Sequence, residues 1–217
     1  MAATIHLHPT AELAPRVLLP GDPGRALLLA QTLLDGPKMF NHNRGLWGYT
    51  GPAADGELLT IQATGMGRPS AMIVVHELIQ LGATHLVRVG TCGALSSELA
   101  LGELVVVDAA RFGDAEREPD AALRAGLAGD HTGPVVTSDE FYDEDLARQE
   151  GWARAGALAV EMECFALFDV AARRGAAAAA LLLVSDLVLP ARERIDPDAL
   201  RAGEERLGSA AWAALAG

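Results

Sequence analysis

Cysteine is scarce in this chain: of 217 residues only two, Cys92 and Cys164, carry a thiol. Each stands amid apolar or small neighbours, so reduced packing thiols are expected rather than a disulfide framework or a zinc site. Long apolar runs are missing too. The longest, AAAAALLLV before Ser185, falls far short of the roughly 20 residues a membrane helix needs. The opening MAATIHLHPT has no basic region followed by an apolar run, and the expected location is therefore cytoplasmic. Positive charge is short as well, with 17 Lys and Arg against 29 Asp and Glu and a formal net charge of −12. That excess repels nucleic acid and anionic lipid at long range, so neither is an expected partner and any anion site must be built locally. No Gly-Lys-Ser or Gly-Lys-Thr occurs, which excludes a Walker phosphate loop. The Gly65, Met66, Gly67 stretch has Ser70 where a dinucleotide fingerprint needs its third glycine, and the next strand offers Arg88 where an acid would hold ribose. There is no internal repeat.

What is present describes one α/β domain. Half the residues are apolar, and the length suits a single core over residues 1–217. Runs rich in Val and Leu (RVLLP, ELLTIQAT, THLVRVG, GELVVVDAA, GPVVTS, AAAAALLLV) alternate with helical stretches. That pattern predicts a mostly parallel, central mixed sheet flanked by helices on both sides. Gly36, Gly82 and Gly175 follow helical runs where a left-handed residue just past the helix end is expected. The charged stretch RFGDAEREPDAALRAGLAGDHTG is expected to include a surface loop.

Chemistry-bearing residues cluster where strands end. In PGDPGRALLLA, Gly21 and Asp22 close a strand, Pro23 suits the first helical position, and Arg25 falls in the first turn. A cation there is unfavourable by about 0.3–1 kcal/mol unless an anion sits nearby, although a solvated arginine is an equally simple reading. Arg88 interrupts an apolar strand just before a Gly-Thr-Cys-Gly turn, so its guanidinium needs a carboxylate of the protein or a bound oxyanion. Acids at 161 and 163 begin the helix of VEMECFALFDVAARRG, where they could simply complement its dipole; Glu163 shares a helical face with Leu167 and Val170 and is expected to point inward. Ser185 and Asp186 follow an apolar strand, where Asp186 could be a cap.

Taken in order, LLPGDPGRA, NRGLWGYTG, TGMGRPSA, VRVGTCGAL, DEFYDED, VEMECFAL and VSD resemble the nucleoside phosphorylase family, in its hexameric purine nucleoside phosphorylase branch that also holds uridine phosphorylases. The resemblance implies that Gly21, Arg25, Arg88 and Thr91 hold inorganic phosphate, joined by Arg44 from a neighbouring subunit. It implies ribose contacts from Met66, Met162 and Glu163, and from a histidine reaching across the same interface, for which His6 and His8 are both open and His6 is preferred. The base is expected near Cys92, Gly93, Phe141, Val160, Glu161 and Ser185. Cleaving an N-glycosidic bond builds positive charge on the sugar and negative charge on the base, which calls for an anion beneath C1′ and a proton for the purine. Phosphate supplies the first and Asp186 the second, toward N7. No cofactor or metal is expected, only phosphate as co-substrate; the pair His6 and His8 lacks a third ligand.

Relatives of the purine branch carry a downstream arginine that assists the aspartate; here Arg192, Arg194 and Arg201 all remain open for that role. The chain is also shorter than usual for the family between Arg111 and Thr137. A phosphorylase of purine nucleosides is the expected activity, and a homo-oligomer, dimer-based and hexameric, the expected assembly. Uridine phosphorylase, a hydrolytic nucleosidase and a silent nucleoside-binding module are the alternatives.

Overall fold

The computed structural model describes residues 4–216. In chain order the elements are β1 (Arg16–Leu19), α1 (Pro23–Leu33), β2 (Lys38–Asn41), a single 3-10 turn (Asn43–Gly45), β3 (Gly48–Pro52), β4 (Leu58–Gln62), α2 (Arg68–Leu81), β5 (His85–Ala94) and β6 (Leu104–Phe112). They continue with β7 (Ala115–Arg117), α3 (Ala121–Ala125), β8 (His131–Thr137), α4 (Leu146–Arg154), β9 (Ala159–Glu161), α5 (Cys164–Arg174), β10 (Ala177–Leu187), β11 (Glu193–Arg194) and α6 (Pro197–Leu215).

All strands join one 11-stranded sheet. Its middle, β4, β1, β5 and β10, is parallel, as the apolar runs predict. Antiparallel pairs lie at β2 with β3, β3 with β4 and β10 with β11, and the sheet closes a ring because β10 pairs with both β5 and β6 while β8 and β9 bridge the remaining gap. Each face of the sheet has its own core. Helices α2 and α5 cover one through Val74, Leu78, Leu167 and Phe168. Helices α1, α3 and α6 cover the other through Leu29, Leu123, Leu207 and Ala211. Each large side chain so buried contributes about 1.5–3 kcal/mol.

Local chemistry sets the helix ends. Asp22 accepts from the backbone N–H groups of Gly24 and Arg25 at 3.0 and 3.2 Å, and Pro23 starts α1 without a donor to lose. Gly82 and Gly175 end α2 and α5 in the left-handed conformation. Gly36 does not serve that way: α1 stops at Leu33 with Leu34 extended, and the positive φ of Gly36 belongs to the following turn.

Two further expectations change. The stretch from Gly90 to Gly93 is not a turn, because β10 goes on pairing with it and carries β5 to Ala94. Glu161 ends β9 and Glu163 caps α5, so neither acid lies inside the helix. The charged stretch after Arg111 includes the expected surface loops, largely exposed, between β7, α3 and the start of β8. No described helix is long and apolar enough to cross a membrane.

Candidate active site

A cleft of about 440 Å³ opens at the C-terminal ends of β1, β5 and β10, the place where open parallel sheets bind ligands. It brings together Gly21, Arg25, Arg88 and Thr91, then Met66, Met162 and Glu163, and then Cys92, Gly93, Phe141, Val160, Glu161, Ser185 and Asp186. Residues 165 positions apart thus face one space that can hold a nucleoside-sized molecule.

Arg88 is buried, at 5% exposure, and is bound to two carboxylates: Nη2 to Glu163 Oε2 at 2.5 Å and Nε to Glu161 Oε2 at 3.2 Å. The protein-carboxylate reading of Arg88 therefore holds. Its Nη1, however, is buried with no hydrogen-bond partner, and a buried guanidinium N–H left bare costs free energy unless an acceptor arrives. Burial pulls the Arg88 pKa down, but the charges of Glu163 and Glu161 outweigh it and raise the value above the ordinary one. Gly90 makes room for this guanidinium. A Cβ on Gly90 would lie 2.5 Å from Nη2, and one on Gly21 would meet the Gly65 carbonyl oxygen at 3.3 Å and Arg88 Nη1 at 3.9 Å.

Glu163 reaches the cleft from the start of α5, and Gly67 donates its backbone N–H to Oε1 at 2.5 Å. Burial raises its pKa above the usual carboxylate range, and the charge of Glu161 adds to this against the pull of Arg88. Glu161 is differently engaged. Thr137 Oγ1 donates to its Oε1 at 2.5 Å, and the backbone N–H groups of Glu163 and Cys164 donate at 2.7 and 2.9 Å. Its carboxylate thus ties β8, β9 and α5 to Arg88. Arg25 sends Nε to Glu204 Oε1 on α6 at 2.8 Å and Nη1 to the Val89 carbonyl oxygen at 3.3 Å.

On the opposite side of the cleft, a bulge in β10 between Val184 and Asp186 leaves Ser185 out of register with β5. The break in alternation turns both Ser185 and Asp186 toward the cleft. Ser185 Oγ donates to Asp186 Oδ2 at 2.8 Å, and Arg194 Nε approaches Oδ1 at 3.1 Å. Asp186 is therefore not a helix cap but an in-strand residue with the Ser185 hydroxyl on Oδ2 and the Arg194 guanidinium beside Oδ1. The arrangement puts guanidinium donors at one end, the Glu163 carboxylate in the middle and the Asp186 carboxyl group at the other.

The sequence matches the Phosphorylase superfamily over residues 15–216. The chain belongs to that superfamily. It is 40% identical over 198 residues to the DeoD-type purine nucleoside phosphorylase of Alkaliphilus metalliredigens, covering 82% of this chain and 84% of that one. The DeoD-type purine nucleoside phosphorylase of Geobacillus kaustophilus is likewise 40% identical over 205 residues, 85% of this chain and 86% of the relative. Among solved structures, the uridine phosphorylase of Vibrio fischeri superposes with a TM-score of 0.84 at 28% identity, over 94% of this chain and 92% of that one.

Two of the expected site residues of this superfamily member stand apart from its own cleft. Arg44 is exposed on the 3-10 turn and adopts a left-handed φ of 57°. His6 bonds through Nδ1 to Glu77 Oε1 at 2.8 Å, and the same carboxylate collects the backbone N–H groups of Ile5, His6 and Leu7. His8 sends Nε2 to the Ile5 carbonyl oxygen at 3.1 Å. Of the three arginines left open beside Asp186, the structure brings Arg194 to it. Arg192 stacks over Phe141 with 5.6 Å to the ring centroid, and Arg201 pairs with Glu205 at 3.6 Å on α6. Sequence reasoning missed Glu204, Thr137 and Gly90. The first two are ordinary polar residues on a helix and a strand end, and only contacts made 179 and 24 residues away reveal them.

Proposed function

We propose that this chain is a purine nucleoside phosphorylase, transferring a pentosyl group from the base to inorganic phosphate. A phosphate oxygen attacks C1′ while the C1′–N9 bond breaks, the bonding electron pair leaves with the purine, and N7 takes a proton from Asp186. The products are free base and pentose 1-phosphate, and phosphate is a co-substrate with no cofactor involved. Arg25, Arg88, Gly21 and Thr91 hold the phosphate, Glu163 accepts from the ribose hydroxyls with Met66 and Met162 packed on the sugar, and the base lies toward Cys92, Gly93, Phe141, Val160, Glu161 and Ser185. The observation that carries this reading is the buried, unpartnered Nη1 of Arg88 sharing one cleft with Glu163 and Asp186. A hydrolase using water has no use for such an acceptor-seeking cation.

Arg44 and His6 serve the cleft of a second copy in this reading, within a cytoplasmic homo-oligomer built from dimers, with the hexamer as the assembly. Support comes from their surroundings: Ile5 and Trp47 are exposed large apolar side chains beside them in sequence, and Ile73 is exposed one helical turn before Glu77. The likeness to uridine phosphorylase structures favours uridine as the second substrate class, whereas Asp186 favours purines. Inosine, adenosine, guanosine and uridine, each with and without phosphate, decide the matter by release of free base. Purine release that requires phosphate is expected; equal release without phosphate, or release from uridine alone, overturns the reading.

A further inference from the structure

We propose that Glu204 is a fixed counter-anion that sets how tightly the cleft holds its oxyanion. The proposal rests on the phosphorylase reading above for the identity of that oxyanion. Glu204 stands on α6, far in sequence from every phosphate-site residue, yet its Oε1 lies 2.8 Å from Nε of Arg25. Both side chains are sheltered from water, at 8% exposure for Arg25 and 13% for Glu204, so solvent screens their attraction poorly.

The carboxylate does not line the cleft and therefore does not block an anion sterically. Nor can it retreat with its helix. Gly203 and Gly208 bracket it, and their missing side chains let α6 lie directly on its neighbours: a Cβ at Gly203 would come within 2.8 Å of Leu183 Cδ2, and one at Gly208 would be closer still to Leu29. A phosphate reaching Arg25 thus joins Glu204 on one guanidinium rather than replacing it. Arg88 already faces Glu161 and Glu163, so the arriving anion meets three carboxylates around two arginines. Like-charge repulsion from Glu204 then weakens phosphate binding, and the Nε bond meanwhile keeps the guanidinium oriented.

Glu204→Gln tests this, because glutamine keeps a carbonyl acceptor for Nε and removes only the charge. Titration calorimetry with inorganic phosphate should show binding at least about tenfold tighter than wild type, as expected for deleting one close charge in a poorly screened site. The phosphate KM should fall in parallel with an unchanged nucleoside KM. In an Arg25→Gln background phosphate should bind more weakly overall, and the same substitution should still tighten it, because the repulsion acts through space. A gain of affinity cannot come from general damage to the fold. Should Glu204→Gln not fold, Glu204→Ala removes the same charge and carries the same expectation. Unchanged or weaker phosphate binding in the folded variant overturns the proposal, as does a wild-type protein that binds no phosphate. If phosphate binds and tightens as expected but no nucleoside is cleaved, Glu204 keeps its role and the phosphorylase reading falls instead.

Discussion

Arg194 Nε lies 3.1 Å from Asp186 Oδ1, across an antiparallel pairing in which the two residues sit directly opposite each other. The pairing hangs on β11, a strand of two residues. With its side chain 72% exposed, Arg194 contributes little to folding, since surface ion pairs are weak. In the proposed mechanism its part is to neutralise the charge that Asp186 would carry after giving its proton to the base.

Replacing Asp186 by Ala should lower purine turnover by about 10²–10⁴, the usual range for a general acid, with a small change in melting temperature. Arg194→Ala should lower turnover by a smaller factor and shift the melting temperature hardly at all. Steady-state assays beside thermal unfolding check both. Full purine turnover by the Asp186 variant would remove the acid from the mechanism.

The raised pKa of Glu163 gives stability a pH dependence of definite sign. Between its ordinary value of 4.5 and the raised one, the folded chain holds a proton that the unfolded chain has released. Stability from this group is therefore full below 4.5 and is lost as pH rises through the folded-state pKa. Glu163→Gln removes the titration, so urea unfolding of the variant should show a flatter profile across that window than wild type. Parallel profiles would contradict the assignment.

Gly90→Ala should damage anion binding by displacing Arg88, a group proposed to meet the anion. The added methyl would stand 2.5 Å from Arg88 Nη2, and the guanidinium must move away from Glu163 to admit it. Overpacking of this kind costs about 1–3 kcal/mol. The expected result is a lower urea midpoint together with a higher phosphate KM. A phosphate KM equal to wild type would mean that Arg88 adapts freely.

Much of the cleft was legible in the linear order of residues because single-residue anomalies mark it: Arg88 in an apolar strand, Arg25 at a helix start, Asp186 beside Ser185. An apolar strand cannot carry a guanidinium without a partner, so the need for one followed from composition alone. The partner's identity did not. Glu161 looked like a helix-dipole acid and does accept the N–H groups at the head of α5, but its place against Arg88 was not visible in the sequence. The stretch from Gly90 to Gly93 carries local turn chemistry, and the continuing pairing with β10 overrules it.

Alternation of apolar runs with helical faces was enough to set an α/β sheet with helices on both sides, since each run must bury its own apolar surface whatever its neighbours are. Charge pairing obeys no such local rule. Which carboxylate neutralises Arg25, which arginine meets Asp186, and which nitrogen of Arg88 stays bare depend on distances between segments far apart in the chain. Electrostatic energy falls with separation in space, not along the sequence, and only the closed sheet with α6 laid against it brings those charges within reach.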